Sequence, residues 1–426
     1  MQRQQEPLAY PFEPGAGLEL DPRYAELRER PLARVRMPYG EEAWLATRYA
    51  DVRAVLSDPR FSLAASLGRD YPRLEPVAAA NHGGLMSLDP PGHTRLRSVL
   101  SREFTARRIE RLRARARQVA DEVLDRLVES GSPADLVEQF AVPFPTALHC
   151  ELLGVPRGYG RFWDWVEANL FDLRADGDAG DGGDGGEEFV GEFTARIAGL
   201  VELRRAEPAG DGDDDGDDLI GVLLRARDED GRITEDELLA VVGDLLVAGF
   251  STVAGQIAVS LHHLVIRPEQ LARLGERPEL IPGAARELLR YVQLIDFTTA
   301  RYAVEDIQLG GVLVRAGEPV LAALAAADRD AAAFPGADDL VLDRAGPPPL
   351  AFGHGTHHCL GAHLARLDLE VALETALRRL PGLRLAVQED ELRWKTSGIV
   401  NGLHELPVVF GSEGDRTADT ADTAGA

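Results

Sequence analysis

Residues 351–369 read Ala351-Phe-Gly-His-Gly-Thr-His-His-Cys359-Leu-Gly-Ala-His-Leu-Ala-Arg-Leu-Asp-Leu369. Leu360, Leu364, Leu367 and Val371 fall at helical steps, so Cys359 marks the start of a helix. A thiolate in that position is favoured by the helix dipole and by free N–H groups. Gly353 and Gly355 let the loop backbone come close to whatever faces it, because glycine has no Cβ.

Three chemistries suit such a cysteine: a packed thiol, a zinc ligand or an axial thiolate to haem. His354, His357, His358 and His363 crowd it, which invites zinc. A structural zinc site usually draws four ligands from two loci, and no second locus is present. The other cysteine, Cys150, lies in His149-Cys-Glu-Leu-Leu-Gly-Val at an expected helix end, where packing is the ordinary role.

Outward from this stretch the pattern is mostly helical. Ile109, Leu112, Ala116, Val119, Val123 and Leu127 predict an amphipathic helix over 107–129. Thr234-Glu-Asp-Glu237 is a capping box opening an apolar run that ends at Arg267-Pro268. About thirty residues at 1.5 Å rise give a buried rod of roughly 45 Å. Strand patterns are short, at 42–48, 307–314, 319–323 and 406–410. The expected fold is mainly α with small peripheral β-sheets: an N-terminal extension at 1–20, a single domain over 21–410 and a disordered tail at 411–426. Two Gly/Asp-rich segments, 174–188 and 208–218, are expected to be mobile loops. Neither has the spacing of a calcium loop.

The chain has 426 residues and a net charge of −25, with Lys395 its sole lysine. That balance argues against nucleic acid, whose phosphates need clustered cations. No uniformly apolar run of about 20 residues stands out, and the N-terminus lacks a signal-peptide pattern, so a cytoplasmic protein with no membrane partner is expected.

The pattern Phe352-Gly353-x-Gly355-x-His357-x-Cys359-x-Gly361 resembles the haem-binding signature of the cytochrome P450 family, and the likeness extends over about 21–410. It implies the P450 fold and haem b, with Cys359 as the axial iron ligand within a loop that includes Phe352, Gly353 and Gly361. His93, Arg97, Arg301 and His357 match positions that hold haem propionates. Glu287 and Arg290 match the family's Glu-x-x-Arg pair, a structural brace. The resemblance further implies O2 as co-substrate and a monooxygenase acting on a small-molecule secondary metabolite. Electrons would come from a ferredoxin and its ferredoxin reductase.

One departure concerns proton delivery. The family usually places an acid before the threonine of the long helix; here the segment reads Ala248-Gly-Phe-Ser251-Thr252. Thr252 keeps its hydroxyl, but Ser251 can only pass a proton along, whereas a carboxylate can be tuned to hold one. This leaves open a rival reaction, oxidative C–C or C–O coupling of aromatic substrates such as aromatic cyclic dipeptides, and as a minor alternative a non-catalytic haem binder. By family position the substrate pocket draws on Leu85, Met86, Ala248, Ile295, Phe297, Thr298, Ile399, Val400 and Asn401. The 174–188 loop is expected to gate entry. Nine arginines between 95 and 117 form a basic island suited to an acidic ferredoxin.

Overall fold

The computed structural model describes residues 6–15, 18–74, 83–155, 185–206, 218–292, 294–396 and 399–411. Among them run fourteen α-helices. These are α1 Arg23–Arg28, α2 Tyr49–Ser57, α3 Gly92–Leu100, α4 Ala106–Arg111, α5 Arg113–Ser130, α6 Pro143–Leu153 and α7 Gly185–Ala206. They continue as α8 Leu219–Asp228, α9 Glu235–Gly249, α10 Ser251–Val265, α11 Pro268–Glu276, α12 Ile281–Tyr291, α13 Leu324–Asp328 and α14 Ala362–Arg379. Helices dominate, as expected.

The capping box forms: Thr234 accepts the Glu237 N–H while Glu237 reaches back to the Thr234 N–H at 2.9 Å. The single rod does not. It is interrupted at Phe250 into α9 and α10. The Thr252 hydroxyl takes the Ala248 carbonyl at 2.6 Å, a side-chain bond that competes with the helical ladder and bends helices. The 107–129 pattern likewise splits at Leu112 into α4 and α5, although Ile109, Ala116, Val119, Val123 and Leu127 are buried as predicted.

The segment Glu235–Val265 is long and apolar enough to cross a membrane, against the sequence expectation, and 245–266 carries no charge. Its second half is a core helix. Twelve residues of α10 are buried, among them Gln256, which bonds to Ser260 at 3.0 Å. α10 and α12 pack against α14, and α5 against α6 and α14, around one large apolar cluster. Burying each Leu, Ile or Val of this kind contributes about 1.5–3 kcal/mol.

A six-stranded sheet carries the second and third clusters. Its order is Leu8–Ala9, Leu32–Arg36, Ala43–Ala46, Pro319–Ala322, Arg301–Ala303 and Phe61–Ser62. Arg301 pairs with Val320, and that register buries the arginine. Three strand patterns are found where expected, at Ala43–Ala46, Pro319–Ala322 and Pro407–Val409. The fourth, 307–314, is a hairpin turning at Gly310 and Gly311 (φ 58° and 90°), where a Cβ on Gly310 would lie 2.5 Å from Pro31.

Of the expected N-terminal extension, the described residues 6–15 and 18–20 pack into the fold. Residues 8–9 pair with 35–36, and Tyr10, Phe12 and Leu18 are buried, with the Tyr10 and Phe12 rings edge to face at 5.2 Å. Of the two Gly/Asp segments, 174–184 and 208–217 lie outside the described residues. The backbone at 185–188 is already helical, and Asp218 caps α8 through the Gly221 N–H at 2.7 Å. Of the 411–426 tail, only Gly411 is described, bonded through its N–H to Pro381 O at 2.8 Å.

Candidate active site

The cysteine loop is stitched by its own backbone. Cys359 N–H donates to Phe352 O at 2.9 Å and Gly353 N–H to Leu350 O at 2.7 Å. Gly353 and Gly355 have φ of 67° and 72°, the left-handed region that favours glycine. A Cβ on Gly355 would also lie 2.4 Å from Leu56 O, so α2 closes down directly on this loop. The helix begins at Ala362 with Gly361 as its cap, placing Cys359 two residues before the cap. Burial, the largest influence, pushes the Cys359 thiol up; the Gly361 N–H and Arg97 pull it back toward thiolate. Burial outweighs both, so the thiolate preference expected from the helix start is not realised by the protein alone. Cys359 nonetheless keeps accessible surface deep in the molecule, as a residue on a cavity wall does.

Across from it converge the four cationic or imidazole side chains named from sequence. His93 stands on α3 with Arg97 one turn on, Arg301 comes from the sheet, and His357 from the short turn Gly355–His357. The His93 and His357 rings are 4.2 Å apart. His93 Nδ1, Arg301 Nε and His357 Nε2 are all buried without a hydrogen-bond partner among the described residues. His357 is driven down to about 3, chiefly by burial and then by Arg301 and His93. Buried polar atoms are normally satisfied, and here three orphans share one electropositive pocket. That donor set fits a group bearing carboxylates, with a nearby thiol for a metal. It therefore fits a haem. Zinc fits poorly: no group of three His, Cys, Asp or Glu among the described residues is placed to hold a metal ion.

Glu287 and Arg290 form a buried bidentate pair, both contacts 2.8 Å, with Arg290 only 2% exposed. Arg344 adds a third arm, its Nε 2.9 Å from Glu287. Sequence reading missed Arg344, and no local pattern marks it. It also missed Asp89, whose carboxylate accepts the Ser62 hydroxyl and the Leu63 N–H and acts on His93, Arg301 and His357.

The helix break at Phe250 exposes Ala248 and leaves Ser251 and Thr252 half-buried. The substrate-lining expectation holds unevenly. Met86 and Ile399 are exposed and Leu85 is buried. Asn401 is buried, its N–H bonded to Leu294 O at 2.8 Å, and Val400 packs on the main core. Ile295 packs on the second cluster, and Thr298 N–H bonds Ala322 O at 3.1 Å. Phe297 is half-buried, its ring 5.2 Å from that of Tyr10 and packed against the N-terminal cluster. A separate cavity of about 280 Å³ lies away from Cys359, lined by Arg28, His262, Arg267, Tyr291, Arg329 and neighbours.

The basic island is less free than its composition implied. Arg95 pairs with Glu237, Arg108 with Glu103, Arg113 with Glu110 and Glu370, Arg115 with Glu151, and Arg117 with Glu374. Arg102, Arg107 and Arg111 remain exposed.

A helical fold around a cysteine loop braced by a buried Glu-Arg pair, facing an anion-ready pocket, defines a haem-thiolate class of protein. Comparison with known proteins agrees. The family model described as Cytochrome P450 matches residues 187–391. Mycinamicin IV hydroxylase/epoxidase of Micromonospora griseorubida is 49% identical over 408 residues, covering 95% of this chain and 99% of that relative. The crystal structure of HinD with NMFT and NO superposes with a TM-score of 0.87 at 46% identity, covering 96% of this chain and 100% of that one. The crystal structure of cytochrome P450mel 107F1, a protein with biaryl coupling reactivity, superposes with a TM-score of 0.86 at 38% identity, covering 94% of this chain and 99% of that one. The chain belongs to the cytochrome P450 family and is an oxidoreductase.

Proposed function

We propose that this chain binds haem b and uses O2 to insert oxygen into a small-molecule secondary metabolite, with electrons from a ferredoxin served by a ferredoxin reductase. The observation that carries the reading is the set of unpartnered donors on His93, Arg301 and His357 facing the Cys359 loop. In this arrangement Cys359 would ligate iron, while His93, Arg97, Arg301 and His357 would neutralise the propionates. A haem held by thiolate supplies the oxidising chemistry, the sulfur's electron donation favouring O–O cleavage. The chain's own residues do the rest. Gly361 N–H and Arg97 offset the charge on sulfur. Phe352 covers the loop, with Arg366 5.9 Å over its ring. Thr252 offers a hydroxyl at the helix break, now resting on Ala248 O. The cytoplasm is the location consistent with soluble partners.

Oxidative coupling of aromatic rings is the second reading, favoured by Ser251 in place of an acid and by the likeness to a biaryl-coupling relative. A panel of natural-product scaffolds is titrated into the ferric holoprotein, and the responding compound is turned over under heavy-oxygen dioxygen. Label in the product supports insertion; a coupled product without label supports coupling. Failure to incorporate haem, or no thiolate-type carbon monoxide spectrum, overturns both.

A further inference from the structure

The cavity of about 280 Å³ that lies away from Cys359 is walled by separate stretches of chain. Arg28 ends α1, and Tyr291 ends α12. His262 lies near the end of α10, with Arg267 just beyond that helix, and Arg329 follows α13. The volume is close to the lower end for small-molecule pockets, which suits a compact ligand.

Two side chains on this wall are buried with polar atoms left over. His262 is 0% exposed, and neither ring nitrogen has a hydrogen-bond partner among the described residues. The Glu389 carboxylate stands 3.5 Å from its Nε2, beyond ordinary hydrogen-bond length. Arg329 is 7% exposed. It gives Nη2 to Tyr291 O at 2.9 Å and lies 3.9 Å over the Tyr291 ring, but its buried Nε has no partner among the described residues. Buried polar atoms are normally satisfied, so two orphaned side chains on one cavity mark a missing partner.

Charge indicates what that partner is. Arg28 donates to Ala326 O at 3.3 Å, and Arg267 to His263 O at 3.0 Å and the Tyr291 hydroxyl at 3.2 Å, all neutral acceptors. The carboxylate facing Arg329 is Asp338, 3.4 Å away and 83% exposed. The other acids stand at the rim or are engaged. Glu19 and Glu389 are exposed, and Asp21 is clasped by Arg23 at 2.7 and 2.9 Å. Burial is the largest influence on the Arg28 and Arg329 guanidiniums and pushes both down. Water in the cavity would satisfy hydrogen bonds and leave these charges uncompensated, whereas an anion does both. The planar guanidinium fork matches the oxygens of a carboxylate or a phosphate.

We infer that this cavity is a second ligand site, apart from the haem pocket, that takes a small oxyanion, a carboxylate or a phosphate, between Arg28, Arg267 and Arg329 with His262 on its wall. The ligand would tie α1, α10, α12 and the turn after α13 together at one point. No bond is made or broken there.

The test is titration calorimetry of the haem-loaded protein with inorganic phosphate and with malonate at constant ionic strength. The inference expects one anion per chain with a Kd of about 1 mM or tighter, and a melting temperature that climbs with anion concentration. Arg28→Gln and Arg329→Gln should each weaken binding at least about tenfold, because each removes a charge-assisted contact. Arg126→Gln, on the exposed face of α5, should change it by less than about twofold. Asp338→Asn removes a rim carboxylate and should tighten binding. A response to phosphate alone assigns a phosphoryl ligand, and one to malonate alone a carboxylate; either supports the site. Absence of saturable binding by both anions, or an equal loss in R126Q, overturns it and leaves the cavity to water. Should R329Q fail to fold, R28Q and His262→Gln decide by the same titration. Binding is read without turnover, so a failure of the Cys359 reading is a separate result.

Discussion

Arg290 donates to the Asp328 carbonyl at 2.8 Å, and the Asp328 carboxylate accepts the Leu350 N–H at 2.7 Å. Leu350 O in turn holds Gly353 N–H, and Phe352 O holds Cys359 N–H. The Glu-Arg pair on α12 is thus wired to the sulfur-bearing loop through four hydrogen bonds. Arg290→Ala leaves Glu287 buried with Arg344 and the Val341 N–H, and removes the Arg290 donor from the Asp328, Ala337 and Asp339 carbonyls, of which Asp339 O keeps Arg344. The expected loss is about 3–5 kcal/mol, read from urea unfolding of the holoprotein. A loss below about 1 kcal/mol would mean that Arg344 suffices.

Gly353 and Gly355 separate backbone strain from steric exclusion. Gly353→Ala adds only the left-handed penalty, about 1 kcal/mol, because its Cβ finds its nearest neighbour at 3.9 Å. Gly355→Ala drives a Cβ to 2.4 Å from Leu56 O and must displace α2 or the loop. Haem retained per chain after gel filtration should fall much further for G355A. Equal retention would show that the loop shifts freely.

Two buried histidines make stability fall with acid. His263 is held down to about 3 and His262 to about 4, in both cases mainly by burial and then by nearby cations. Between those values and the usual 6.5 the unfolded chain binds more protons, so stability rises with pH across that window and is lost as pH falls through it. Each histidine contributes at most about 1.4 kcal/mol per pH unit. Melting curves at stepped pH should show a shallower slope for His262→Gln. Parallel curves would mean that another group governs acid lability.

Electron delivery can be probed on the arginines that are not already engaged. Reversing Arg102 and Arg111 to Glu should slow reduction by an acidic ferredoxin and weaken its salt dependence. Reversing Arg117, paired with Glu374 at 3.0 Å, should act less on that rate. Stopped-flow reduction at two ionic strengths reads the difference. Equal effects would place docking elsewhere.

The family, the cysteine loop, the Glu-Arg pair and the gathering of His93, Arg97, Arg301 and His357 were legible in the sequence, because each lies in a short pattern whose residue types are dictated by chemistry. The sequence also carried most helices, since a 3.6-residue apolar period survives in any context. Tertiary structure alone decided the rest. Arg344 reaches Glu287 from 57 residues away, and Phe297 turns to Tyr10 because the first strand pairs with the second. The long apolar helix breaks at Phe250, where a threonine hydroxyl takes a carbonyl and a histidine from α6 crowds a glycine. Five of nine arginines lost their apparent freedom to carboxylates that mostly lie far along the chain. Local pattern fixes what a segment can become, whereas partners distant in sequence meet only when the core closes.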